Sequence, residues 1–221
     1  MTPPRGLSGK GLFVFLRGYP WLHLLLCLAP LALLLIWLAL TIGTGRDLAA
    51  HFTDLRLRQP ALTTAMLAVT YGAAPLSYGA YAWLFLRGLR APDPALLRLV
   101  IAYALVQICI SFLLVRCLKI AVGRPRPQAL LLGAGYEPFT LEHGNHSFPS
   151  GHTSEIIGTC APLAARRGRR LFSLGLGLLA ALVGYSRIYL SMHHIGDIAA
   201  GMGVGALCAL VIHYLSIRGI P

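Results

Sequence analysis

The sequence predicts an all-α polytopic membrane protein, a six-transmembrane-helix bundle forming one domain over residues 1–221. Three observations predict it. Of the 221 residues, 57% are hydrophobic and only 12% charged, about half the charged fraction of a soluble domain. Mean hydropathy is +0.70. Several apolar runs approach or exceed the roughly 20 residues that cross a bilayer core.

Six helices are expected, at residues 21–43, 62–87, 96–120, 151–166, 171–190 and 195–217. The run Leu22 to Ile42 exceeds the apolar core of a signal peptide, about 7–15 residues, and is read as a retained span. Pro30 and Pro75 fall inside the first two helices, where kinks are tolerated because neighbouring helices satisfy the freed backbone. Ala91-Pro92-Asp93-Pro94 marks the turn into the third. The fourth is short: Gly151 to Ala165 spans about 22 Å at 1.5 Å per residue, against a core of roughly 30 Å. Its N-terminus is therefore expected below the headgroup plane. No internal repeat or low-complexity tract is present.

The net charge of +12 does not indicate nucleic acid. Basic residues stand singly or in short clusters between apolar segments, not in a stripe with interleaved aromatics. That distribution fits loop charges that set topology and meet anionic headgroups. With six spans, one face collects eleven basic residues, among them Arg5, Lys10, Arg17, Arg218 and the cluster Arg166-Arg167-Gly168-Arg169-Arg170. The other face collects eight. Both termini are therefore expected in the cytoplasm. Cys27, Cys109, Cys117, Cys160 and Cys208 lie in or beside apolar segments without metal-ligand spacing, as small hydrophobes do.

Three stretches carry chemistry. They are Lys119 with Arg126-Pro127, then Pro149-Ser150-Gly151-His152, then Ser186-Arg187 with His193 and Asp197. Helix parity puts all three on the less basic face. Together they supply three cations, two separated histidines and one carboxylate, an inventory that suits a dianionic phosphate, a histidine nucleophile and a histidine proton donor. Arginine offers a planar fork for phosphoryl oxygens, and the start of the fourth helix adds Ser150 and the Gly151 backbone N–H as donors. His193 and Asp197, four apart, can meet on one helical face if the last helix begins by His193. His194 competes with His193 by adjacency.

These residues resemble the signature of the type-2 phosphatidic acid phosphatase family over Lys119 to Asp197. The resemblance implies a membrane lipid phosphatase needing no metal or other cofactor, working through a phosphohistidine, with an active-site plan shared with vanadium haloperoxidases. It implies His193 as nucleophile with Asp197 holding its other nitrogen, and His152 as general acid and then base. Such proton transfer is typically worth 10²–10⁴-fold. Lys119, Arg126, Ser150, Gly151 and Arg187 would bind the phosphate. Arg124 stands between the phosphate site and a lipid headgroup. Glu155, an intramembrane carboxylate one turn past His152, is a functional candidate by default.

The loop 128–148, with Tyr136, Glu137, Glu142, His143 and His146, reads either as a selector of substrate or as a solvated connector. Asn145-His146-Ser147 formally matches a glycosylation acceptor but carries little weight in a chain of bacterial character. The expected partner is a phosphorylated lipid in the bilayer: undecaprenyl diphosphate, phosphatidylglycerol phosphate, phosphatidic acid or a lipid A phosphate. The expected place is a bacterial inner membrane, with the site facing outward. A lipid-to-lipid phosphotransferase and a non-catalytic lipid-binding or transport protein are the alternatives.

Overall fold

The computed structural model describes residues 19–218. Arg5, Lys10 and Arg17 of the charge tally lie outside the described residues, as does the expected N-terminal placement. Among the described residues every regular element is helical: α1 (Trp21–Thr41), α2 (Gly45–Arg58), α3 (Pro60–Arg90), α4 (Pro94–Val106), a π-helical stretch Gln107–Leu114, α5 (Val115–Val122), α6 (Pro127–Leu131), a 3₁₀ turn His143–Asn145, α7 (Gly151–Arg167), α8 (Arg170–Tyr189) and α9 (Ile195–Arg218).

Apolar patterning explains the assembly. In α1, Leu24, Cys27, Leu31, Leu35 and Leu38 are buried at helical spacing, while Leu33, Ile36, Trp37 and Leu40 stay exposed. A helix apolar on every side belongs in a membrane, where its outer face meets lipid. α1 packs along α8, α7 lies against both α8 and α9, and α4 packs against α3 and α9. Four stretches are long and apolar enough to cross a membrane: Trp21–Thr41, Pro94–Leu131, Arg170–Tyr189 and Ile195–Ile217. α7 is shorter, at 17 residues, and α3 mixes Thr63, Thr64, Thr70, Tyr71 and Ser77 into its run.

The α7–α9 contact positions the site. A Cβ on Gly201 would meet the Ser150 carbonyl at 2.6 Å, and one on Gly205 would meet the Ile157 Cβ at 2.6 Å. Small residues four apart let helix backbones approach closely. Beneath the site, Tyr81 and Tyr103 stack and reach Thr159 of α7 through their hydroxyls.

The sequence reading places no helix between residues 43 and 62, and there the structure corrects it. α2 is a short amphipathic helix that buries Leu48, Ala49 and Phe52 and carries Arg56 and Arg58 in its last turn.

Candidate active site

His193 is fixed from both sides. α8 ends in a Schellman-type turn, with Ser191 in the left-handed region at φ 51°, its N–H on the Ile188 carbonyl and the Met192 N–H on the Arg187 carbonyl. The His193 N–H also reaches the Arg187 carbonyl, at 3.3 Å. On the other side, Asp197 accepts the His194 N–H at 2.8 Å. This is the reach-back half of a capping box opening α9.

α9 begins at Ile195, as expected, so His193 lies outside it, and its Nδ1 stands 3.8 Å from Asp197 Oδ2. Its hydrogen-bond partner is the Ser147 carbonyl, at 2.7 Å. A carbonyl only accepts, so Nδ1 carries the proton and Nε2 carries the lone pair. His193 is 2% exposed. Burial pushes its pKa down to about 3; Asp197 opposes that shift, and Lys119 and Arg187 reinforce it. His193 is thus neutral at pH 7. His194 instead donates Nε2–H to the Pro125 carbonyl, which leaves that nitrogen no lone pair.

Asp197 is fully buried and organises three segments. It accepts from Arg124 Nη1 at 2.8 Å, from the Ser147 hydroxyl and from the His194 N–H. Arg124, undecided by sequence, is thereby the counter-ion of Asp197. Lys119, Arg126 and Arg187 keep their charge uncompensated: each pairs with neutral groups among the described residues. Lys119 Nζ donates to the His146 carbonyl at 2.8 Å, Arg187 Nη1 to Thr70 Oγ1 at 3.0 Å, and Arg126 Nη1 lies 3.0 Å from Met192 Sδ. The Nε atoms of Arg126 and Arg187 are buried donors without a partner. All three cations act electrostatically on His152, and Lys119 and Arg187 act on His193. The three sequence stretches thus converge in space.

Ser150 caps α7. Its Oγ accepts from the Thr153 N–H and from Thr153 Oγ1, so its own O–H remains available to donate. Its backbone N–H donates to the Asp197 carbonyl at 3.0 Å. The N–H groups of Gly151 and His152 sit in the first turn, where no intrahelical carbonyl reaches them. Lys119, Gly151, His152 and Glu155 line one cavity of about 240 Å³, with Tyr78, Gln107, Ser111, Phe112, Val115 and Arg116.

The loop 128–148 is anchored. Glu137 N–H and Phe139 N–H bind the carbonyls of Gly123 and Ile120. Gly123, at φ 56°, has no room for a Cβ against the Glu137 carbonyl. Asn145 donates to Glu137, and the buried His146 is held by Arg116 and the Thr140 carbonyl. Sequence reasoning missed Ser147, which touches both His193 and Asp197, and Thr70, which holds Arg187 and Ser186. It also missed Arg56, which donates to the Tyr189 carbonyl and Ser191 Oγ just before His193. These contacts join residues far apart in the chain, and no local pattern marks them.

Fold and site together define an all-helical, membrane-type protein in which Lys119 and Arg187 act electrostatically on both His152 and His193. The chain belongs to the PAP2 superfamily, whose family model matches residues 95–219. It is similar to a lipid A 1-phosphatase of Helicobacter pylori (43% identical over 65 residues, 29% of this chain and 34% of the relative). It is also similar to a lipid A 4'-phosphatase of Bacteroides thetaiotaomicron (29% over 113 residues, 50% and 48%) and a dolichyldiphosphatase of Saccharomyces cerevisiae (28% over 109 residues, 44% of each). The chain thus spans between a third and a half of these relatives. No solved structure matches it.

Proposed function

We propose that the chain is an integral membrane phosphatase that hydrolyses a phosphorylated lipid through a phosphohistidine on His193. The observation carrying this reading is the charge balance of the pocket. Lys119, Arg126 and Arg187 bring three positive charges into a largely buried space, while the nearby carboxylate, Asp197, is spent on Arg124. Buried charge without a partner is costly, and a phosphate dianion supplies the missing counter-charge. The unpartnered Nε donors of Arg126 and Arg187 match phosphoryl oxygens as acceptors.

The chemistry follows from the hydrogen bonds. His193 Nε2 donates its lone pair to phosphorus while Nδ1–H stays on the Ser147 carbonyl. The bond from phosphorus to the leaving oxygen breaks, and His152, protonated once the phosphate dianion offsets the neighbouring cations, passes its proton to that oxygen. Neutral His152 then takes a proton from water as the water oxygen attacks phosphorus. The P–N bond breaks and its electron pair returns to Nε2. Lys119, Arg126, Arg187, the Ser150 hydroxyl and the α7 N-terminal N–H groups stabilise the equatorial oxygens throughout.

In this reading α3 and α7 complete six spans in one domain. Both termini are cytoplasmic, and the pocket opens near the outer headgroups of a bacterial inner membrane. An apolar groove of about 410 Å³ between α3 and α4, sharing Tyr78 with the polar cavity, takes the lipid chain. The candidate substrates are undecaprenyl diphosphate, phosphatidylglycerol phosphate, phosphatidic acid and a lipid A phosphate. The test offers these lipids in detergent with a chelator present and measures released phosphate. Turnover of at least one supports the reading; no turnover until Mg²⁺ is restored contradicts it.

A further inference from the structure

Below the phosphate pocket, a polar network inside the bundle is closed except at two atoms. Gln107 Nε2 donates to the Glu155 carbonyl at 3.2 Å and lies 3.5 Å from Thr159 Oγ1. Thr159 Oγ1 donates back to the Glu155 carbonyl at 2.8 Å and meets the Tyr103 hydroxyl at 3.1 Å. The Tyr81 hydroxyl donates to the Thr159 carbonyl. These bonds fix which face of the Gln107 amide carries its oxygen. Left over are Gln107 Oε1 and Glu155 Oε1, both buried and without a partner.

An unpaired buried acceptor is costly, and two on residues lining one cavity call for a common donor. That cavity is the one shared with Lys119 and His152. Glu155 lies four residues into α7 past Gly151, roughly 6 Å deeper, in the cavity that shares Tyr78 with the apolar groove.

We propose that Gln107 and Glu155 form an acceptor subsite for a hydrogen-bond donor at the root of the lipid's acyl chain, an amide N–H or a hydroxyl. The inference rests on the phosphatase reading and narrows it. Lipids whose chains are amide-linked or hydroxylated near the phosphate satisfy both oxygens. Ester-linked diacyl phosphates and polyprenyl phosphates offer only acceptors or hydrocarbon at that depth and leave both unpaired.

Two commercially accessible monophosphates test it with the full-length protein in detergent: ceramide 1-phosphate, which has an amide N–H and a hydroxyl, and phosphatidic acid, which has neither. The measured quantity is the ratio of kcat/KM for the first over the second. In the wild type it exceeds one. In Glu155→Leu and in Gln107→Leu it falls by about 10- to 100-fold, the worth of a hydrogen bond to a charged or buried acceptor. In Glu155→Gln, which keeps an acceptor oxygen, it falls less than in Glu155→Leu. Taking a ratio separates recognition from any general loss of folded protein. A ratio at or below one in the wild type, or one unchanged by the substitutions, overturns the subsite. Phosphate released from neither lipid, nor from any other lipid phosphate, overturns the phosphatase reading and the subsite with it.

Discussion

Gly201 lets α9 lie against the start of α7, and substituting it should cost rate more than fold. Its Cβ would sit 2.6 Å from the Ser150 carbonyl oxygen and 3.0 Å from Thr153 Cβ, where ordinary contact begins at 3.4 Å. Gly201→Ala therefore forces α9 away from the start of α7 by about 0.8 Å, the shortfall between 2.6 and 3.4 Å. One turn earlier on α9 is Asp197, whose carbonyl holds the Ser150 N–H at 3.0 Å and whose carboxylate holds the turn bearing His193. The displacement thus separates His193 from Ser150 and His152. A misplacement of about 1 Å at a reacting centre costs on the order of 10²-fold, while overpacking costs about 1–3 kcal/mol. Phosphate release should fall by roughly 10- to 100-fold in kcat, with a modest drop in melting temperature in detergent. Gly205→Ala meets a similar clash, with Ile157 Cβ at 2.6 Å, but one turn further from the site, so it should destabilise comparably and lose less rate. Gly203→Ala, with nothing within 4 Å, should keep wild-type kcat and gain up to about 1 kcal/mol of stability. Wild-type kcat in Gly201→Ala, or equal rate losses at Gly201 and Gly205, would refute the reasoning.

Acid should destabilise the fold through His193. Its pKa is about 3 in the folded protein against about 6.5 unfolded, so between those values the unfolded chain binds more protons. The stability this group contributes is present above pH 6.5 and lost as pH falls toward 3. Going from pH 7 to pH 5 removes about 2 kcal/mol, and His193→Asn should show a correspondingly smaller drop in melting temperature; an identical drop contradicts the burial argument. Topology is tested by cysteine labelling after the five native cysteines are replaced. On cells with the outer membrane opened, an impermeant thiol reagent should label a cysteine at Gly144, where a Cβ meets nothing within 4 Å. It should miss one at the exposed Arg169 until the inner membrane is broken. The reverse pattern would place the pocket in the cytoplasm.

Much of the architecture is legible in the sequence because apolar runs and charged punctuation are local properties. The ends of α1, α7, α8 and α9 fall within about two residues of expectation. α2 is not legible by that route: its period of Leu48, Phe52 and Leu55 is interrupted by charge and too short to read as a span. The three motif stretches are legible as residue types, and the fold brings them close together. What spacing does not give is the hydrogen-bond partner of His193 Nδ1, because His193 precedes α9, which begins at Ile195. That partner, the Ser147 carbonyl, comes from a segment 46 residues away. The roles of Arg124, Thr70 and Arg56 are likewise settled by contacts across 73, 117 and 133 residues, distances at which single-sequence patterns carry no information.

The most direct test of the account is chemical identification of the covalent intermediate. The His152→Ala protein, given a phosphate ester with an activated leaving group, is quenched under alkaline conditions that preserve phosphohistidine, digested and analysed by mass spectrometry. The account predicts phosphate on Nε2 of His193 and on no other side chain, with the adduct lost in His193→Ala. Phosphate on His194 or His152, or an adduct surviving in His193→Ala, would contradict it.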